Sequence, residues 1–198
     1  YEKNITLAAA RALQVLLDEF GYKTILSRNT DRYLSLAERA QGAQERDADL
    51  FISLHADSNS NTKIRGASVY TLSEKASDAE TEALAHRENE VDALFDVNFS
   101  QGYDEELRKI LISLVQRTTM TCSAKIAGEL IFELGKSTNL LGRTHRFAGF
   151  RVLKAPKVPS VLVEMGFLSN QSDRRMLLSE KGRYALMTRV AGAIDSDF

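Results

Sequence analysis

The chain has 198 residues, 43% of them hydrophobic, which suits one globular domain with a sizeable core. Its 26 Lys and Arg against 27 Asp and Glu leave a net charge of −1, which argues against a nucleic-acid binder, usually basic overall. No apolar run approaches the roughly 18 residues of a membrane span, and the lone Cys122 allows no internal disulfide.

Residues 3–20 read as an amphipathic helix, with Ile5, Ala8, Ala9, Ala12, Leu13, Leu16 and Leu17 at three-to-four spacing and Gly21 as the stop. That pattern is already under way at Tyr1, which suggests a processed or trimmed start. Lys23–Ser27 reads as a strand, followed by a turn at Arg28-Asn29-Thr30-Asp31 that Arg28 and Asp31 fix. Ser35 with Glu38 three residues on forms a capping-box signature for a helix to about Asp47. Leu50–Leu54 is a strand running into His55, and Ala67–Leu72 is another. Residues 74–103 are acidic and polar, with a helix from about Asp78 to Phe95. Residues 104–134 form a long helical pattern ended by Gly135, with Met120 and Cys122 as packing positions. His145, between Arg143 and Arg146, falls in a solvated loop. Phe150–Leu153 and Ser160–Glu164 read as strands around Pro156 and Pro159, and helices over Ser172–Leu178 and Lys181–Ile194 close the chain. Strands alternating with helices imply a single α/β domain with a mixed, mostly parallel sheet flanked by helices.

Two strands end on chemistry. Leu50-Phe51-Ile52-Ser53-Leu54 delivers His55, Ala56 and Asp57 to the rim of the sheet, where open α/β sheets bind ligands. Ser160-Val161-Leu162-Val163 delivers Glu164 in the same way. Strands parallel in one sheet would bring His55 and Glu164 to one cleft, and a His ligand beside a Glu base suits metal-assisted hydrolysis. Alone, Glu164 could equally cap a loop or pair with an arginine, and Asp57 could support His55 or cap its own loop.

Together, Ser53-Leu54-His55-Ala56-Asp57 and Val163-Glu164-Met165-Gly166-Phe167-Leu168-Ser169-Asn170 resemble the zinc-dependent N-acetylmuramoyl-L-alanine amidases of the Amidase_3 type. Leu36, Arg39, Ala48-Asp49 and Phe150-Arg151-Val152-Leu153 also match, so the likeness spans essentially the whole of residues 1–198. The resemblance implies Zn2+ held by Glu2, in a Glu-Lys pair opening the first helix, and by His55, with Glu164 as catalytic base. The family's first zinc His stands in a Gly-His-Gly-Gly turn after a first strand. No such turn occurs here, which sets the expectation that this strand lies ahead of Tyr1. Without the resemblance, Glu2 reads as a helix-start carboxylate.

Leu84, Glu88, Val91 and Phe95 form one helical stripe, with a carboxylate at the centre of an apolar face. A Glu at the stripe's edge reaching solvent is the plain reading. The segment Leu84-Ala85-His86-Arg87-Glu88-Asn89 also resembles the regulatory insertion of the periplasmic cell-division amidases. That resemblance implies that residues 74–103 are a regulatory insertion whose Glu88 occupies the zinc, and that a LytM-domain activator protein displaces it. The expected function is therefore hydrolysis of the amide between N-acetylmuramic acid and L-alanine in peptidoglycan, in the periplasm. A catalytically inactive peptidoglycan-binding relative and a different metallopeptidase on a similar scaffold are the alternatives.

Overall fold

The computed structural model describes residues 1–90 and 105–198, with side chains described for 1–90 and 117–198. In chain order the elements are α1 (Glu2–Glu19), α2 (Leu36–Gln44), β1 (Phe51–His55), β2 (Ala67–Leu72), α3 (Ala79–Glu90), α4 (Glu105–Leu134), β3 (Leu140–Ala148), a 3₁₀ turn (Arg151–Leu153), β4 (Ser160–Glu164), α5 (Gln171–Leu178) and α6 (Glu180–Asp197). The strands form one sheet in the order β1-β4-β2-β3. β1 runs parallel to β4 and β2 parallel to β3, while β2 and β4 are antiparallel. The result is the mixed, mostly parallel α/β domain flanked by helices that the alternation of elements implies.

Side chains alternate faces along each strand, and the sheet sorts them accordingly. Val69, Val161 and Val163 point into the larger core, built with Leu13, Leu16 and Leu17 of α1, Ile126, Leu130 and Leu134 of α4, and Leu186, Met187 and Val190 of α6. Tyr70 and Leu162 face the opposite side, against Leu36 at the start of α2, Leu84 of α3 and Phe150, Val152 and Leu153. Tyr70 and Phe150 meet edge to face at 5.4 Å between ring centroids. Ser53 and His55 on β1, and Glu164 two residues beyond Leu162, belong to this second face, beneath α3.

Local signals account for several boundaries. Ser35 caps α2 by accepting a hydrogen bond from the Glu38 backbone N–H, and the Glu38 carboxylate accepts from the Ser35 N–H in return. The helix stops at Gln44, short of Asp47, whose φ of +47° lies in the left-handed region. Arg28 donates to the carbonyls of Lys3 and Thr30, and Lys3 pairs with Asp31, so the turn is tied to α1.

Four expectations need correction. Lys23–Ser27 is not a strand; a strand needs a neighbouring strand, and this segment has none among the described residues. Between it and the unpaired outer edge of β1 lies a slot of about 1150 Å³. Phe150–Leu153 is a 3₁₀ turn, because Phe150, Val152 and Leu153 are all buried and an apolar run by itself does not distinguish strand from turn. Conversely, Leu140–Ala148 is edge strand β3, so His145 sits on a strand with its Nε2 3.0 Å from Thr71 Oγ1. Edge strands carry charged side chains, which hides them from hydropathy patterns. Cys122 is exposed, not packed. Val91 and Phe95 lie outside the described residues.

Candidate active site

The parallel register of β1 and β4 sets His55 directly beside Glu164. The pairing continues past the strands: the Met165 N–H donates to the His55 carbonyl at 2.9 Å, and the Leu168 N–H to the Asp57 carbonyl at 2.7 Å. Gly166 allows the turn that follows. Its φ is +144°, and a Cβ there would stand 3.0 Å from the Asp173 carboxylate.

His55 is buried and organises the site. Its Nε2 lies 3.1 Å from Ser53 Oγ, two residues back on the same strand face. Its Nδ1 faces two carboxylates, Glu2 Oε1 at 3.5 Å and Glu88 Oε2 at 3.4 Å. Burial alone would lower the imidazole's pKa, but the hydrogen bond to Glu2 and the charges of Glu164, Glu88 and Glu2 push it up to about 9. Glu2 comes from the first turn of α1 and also accepts from the Ala56 N–H at 3.0 Å. Burial raises the Glu2 carboxyl, and His55 and that N–H outweigh it, so the net shift is downward.

Glu164 is 1% exposed. Its Oε2 accepts from the Asp57 N–H at 3.1 Å, and its buried Oε1 has no partner among the described residues. Burial pushes this carboxyl up to about 8, with Asp57, Glu2 and Glu88 adding to the rise and His55 opposing it.

α3 lies across this cleft. Glu88 reaches His55, and Arg87 Nη2 donates to Asp57 Oδ2 at 2.8 Å. Asn89 clamps the far end: its Nδ2 donates to the Gly149 carbonyl at 2.9 Å, and its Oδ1 accepts from the Arg151 N–H at 2.8 Å. Burial raises the Glu88 pKa, with His55 pulling the other way.

Glu2, His55, Glu88 and Glu164, named from the sequence alone, thus share one cleft. Ser53 was not singled out there, although a polar residue two positions before His55 on a strand must lie on the same face. Asn89 stands in the Leu84–Asn89 segment that carries the resemblance to the regulatory insertion, but its partners, Gly149 and Arg151, are set by the tertiary position of α3.

The donor chemistry fits a small divalent cation. Imidazole nitrogen and carboxylate oxygens are zinc ligands, and bond lengths of about 2.0–2.2 Å place neighbouring donors of a tetrahedral site roughly 3.3–3.6 Å apart, the spacing of both carboxylates from His55 Nδ1. Four carboxylates, Glu2, Glu88, Glu164 and Asp57, gather around one imidazole, with the Arg87 and Arg39 guanidiniums alongside. Those spacings do not complete a site: among the described residues no group of three or more His, Cys, Asp or Glu side chains is arranged to hold a metal ion.

Residues 1–196 match the family Amidase_3, N-acetylmuramoyl-L-alanine amidase. The chain is 35% identical over 198 residues to N-acetylmuramoyl-L-alanine amidase AmiA of Salmonella typhimurium, covering 100% of this chain and 68% of that protein. It is 36% identical to N-acetylmuramoyl-L-alanine amidase AmiC of Escherichia coli, of which it spans 47%. The solved N-acetylmuramyl-L-alanine amidase Ami1 from Mycobacterium smegmatis shares the fold, with a TM-score of 0.70 at 20% identity over 99% of this chain and 76% of that one. With the match running from end to end and the cleft built at the strand ends that carry the likeness, this chain belongs to the N-acetylmuramoyl-L-alanine amidase family of hydrolases.

Proposed function

We propose that the chain hydrolyses the amide between N-acetylmuramic acid and L-alanine in peptidoglycan, with zinc bound at Glu2 and His55 and Glu164 as the general base. The carrying observation is the convergence of Glu2 and Glu88 on one imidazole nitrogen, beside a buried carboxylate that is only half satisfied. Zinc, when bound, supplies Lewis-acid polarisation of the amide carbonyl and a more acidic water. Ser53 fixes the His55 ring by engaging Nε2, which leaves Nδ1 for the metal. Glu164 takes the water proton and passes it to the leaving amine.

The slot beside β1 supports a further ligand. It is lined by Ile52 and Leu54 of β1 on one side and Thr24 and Leu26 on the other, and reaches Glu2 and His55 at one end. A strand filling it parallel to β1 would pair with the open edge and end beside His55, as β1 ends on His55 and β4 on Glu164. The first histidine of the family motif, on a strand ahead of Tyr1, is the proposed occupant.

Residues 74–103 act as the regulatory insertion in this reading. Glu88 takes a coordination position, α3 covers the cleft, and a LytM-domain activator in the periplasm displaces it. The contacts of Arg87 and Asn89 support this, since they fasten α3 to both sides of the cleft.

The test is product analysis on purified peptidoglycan with zinc, using the mature protein. The expected products are a free muramoyl lactyl carboxyl and an L-alanine amine, formed faster after Glu88→Gln or deletion of 74–103. Cleavage inside the peptide would replace this reading with a different metallopeptidase. Binding of peptidoglycan with no cleavage by any variant would replace it with an inactive relative.

A further inference from the structure

Arg146 is the one buried Lys or Arg side chain among the described residues, 8% exposed on edge strand β3. Register pairs it with Tyr70, which pairs in turn with Leu162, so it lies on the sheet face that carries Glu164. Its Nη1 donates to Glu80 Oε2 at 2.9 Å and stands 3.9 Å from Asp78 Oδ1, while its Nε donates to the Arg143 carbonyl at 3.1 Å. A cavity of about 100 Å³ lies beside it, and its lining includes Tyr70, Glu80, Phe167 and the Asp57–Arg87 pair that borders the cleft.

Both carboxylates that neutralise Arg146 belong to one segment. Asp78 caps α3, accepting from the Thr81 N–H at 2.8 Å, and Glu80 lies in its first turn. Displacing α3 therefore removes both at once. Moving α3 also uncovers Arg146, which leaves a guanidinium without its counter-charges and open to another anion. A guanidinium's fork of donors matches a carboxylate.

We propose that Arg146 binds a carboxylate of the peptide stem in the open enzyme, and that Glu80 occupies this subsite when α3 is closed. The inference rests on the proposed amidase reading and extends it. Glu88 would compete for the metal position and Glu80 for the substrate anchor, one helix thus mimicking two parts of the substrate. Arg146 is then a positioning residue that favours acidic over amidated stems.

The test uses the full chain carrying Glu164→Gln, so that the probe is not consumed. The probes are a synthetic muramoyl tripeptide with free carboxyls and its carboxamide counterpart. Glu80→Gln, which breaks the bridge, tightens binding of the acidic probe severalfold. Adding Arg146→Gln to Glu80→Gln weakens binding of the acidic probe by about tenfold or more, the scale of one lost charged hydrogen bond, and leaves the carboxamide unchanged. Arg146→Lys, which keeps the cation, recovers most of the loss. If Arg146 only pins the helix, through Glu80 and the remaining Asp78, its removal after Glu80→Gln gives no loss that is selective for the acidic probe; that result overturns the inference. An equal loss with both probes overturns it too. Failure of every variant to bind either probe instead contradicts the muramoyl-peptide reading itself.

Discussion

Glu164 and Asp173 are both buried carboxylates, 1% and 3% exposed, in the same stretch from β4 into α5. Their surroundings differ sharply. Asp173 accepts from the backbone N–H groups of Gly66 and Phe167 at 2.8 and 3.1 Å and pairs with Arg65. Glu164 has one N–H, one oxygen without a partner among the described residues, and three further carboxylates nearby. Asp173 is built to hold loops together, and its needs are met inside the fold. Glu164 keeps an oxygen that no described residue satisfies, which is what the proposed catalytic role requires. Burial by itself does not separate the two roles; hydrogen-bond satisfaction does.

Exchanging the two residues' chemistry is the strongest way to break this contrast. Glu164→Gln is expected to lower amide hydrolysis by about 10²–10⁴-fold, the range for a positioned base, measured by release of L-alanine amine. Asp173→Ala strands two buried N–H groups, at about 1–3 kcal/mol each. It should lower the denaturation midpoint by several degrees while the remaining folded fraction keeps its turnover. Ser53→Ala sharpens the picture around the proposed metal position: if zinc binds there, losing the group that orients His55 is expected to weaken zinc binding about 10–100-fold in a chelator competition, with little change in fold. The smallest effect is at the Ser35–Glu38 capping box. Ser35→Ala costs about 1 kcal/mol, seen in urea denaturation. The backbone and side chain of Ser35 hold the Glu38 carboxyl below its ordinary value. Its contribution is therefore present above the ordinary carboxylate range and lost as pH falls through the depressed value. The Ser35→Ala loss should accordingly shrink in acid to the part carried by the Glu38 N–H, and a loss of unchanged size there would remove the Glu38 carboxylate from the cap.

Sequence made the completed and the uncompleted carboxylate unequally visible. β1 and β4 announce themselves because an apolar run stops abruptly on an ionisable residue, and that is a local pattern. Ser35 and Glu38 are legible for the same reason, being three residues apart. Asp173 gives no local hint, since its partners Gly66 and Phe167 meet it only through the loop packing. Arg146 looks like one charge among several in Leu140–Ala148 until the sheet register buries it. The slot beside β1 is likewise invisible in the chain, because it is a space between elements and not a residue. Lys23–Ser27 has the composition of a strand, but composition does not supply the neighbour that a strand requires.

The most direct test of the contrast is the unfolding midpoint of metal-free Glu164→Gln beside that of metal-free Asp173→Ala, each against the wild-type chain. An amide at 164 keeps an acceptor for the Asp57 N–H and removes a carboxylate from a crowded, partly unsatisfied site. The expected result is a midpoint at or above wild type for Glu164→Gln and well below it for Asp173→Ala. A fall for Glu164→Gln as large as that for Asp173→Ala would make Glu164 a structural carboxylate and contradict its role in the chemistry.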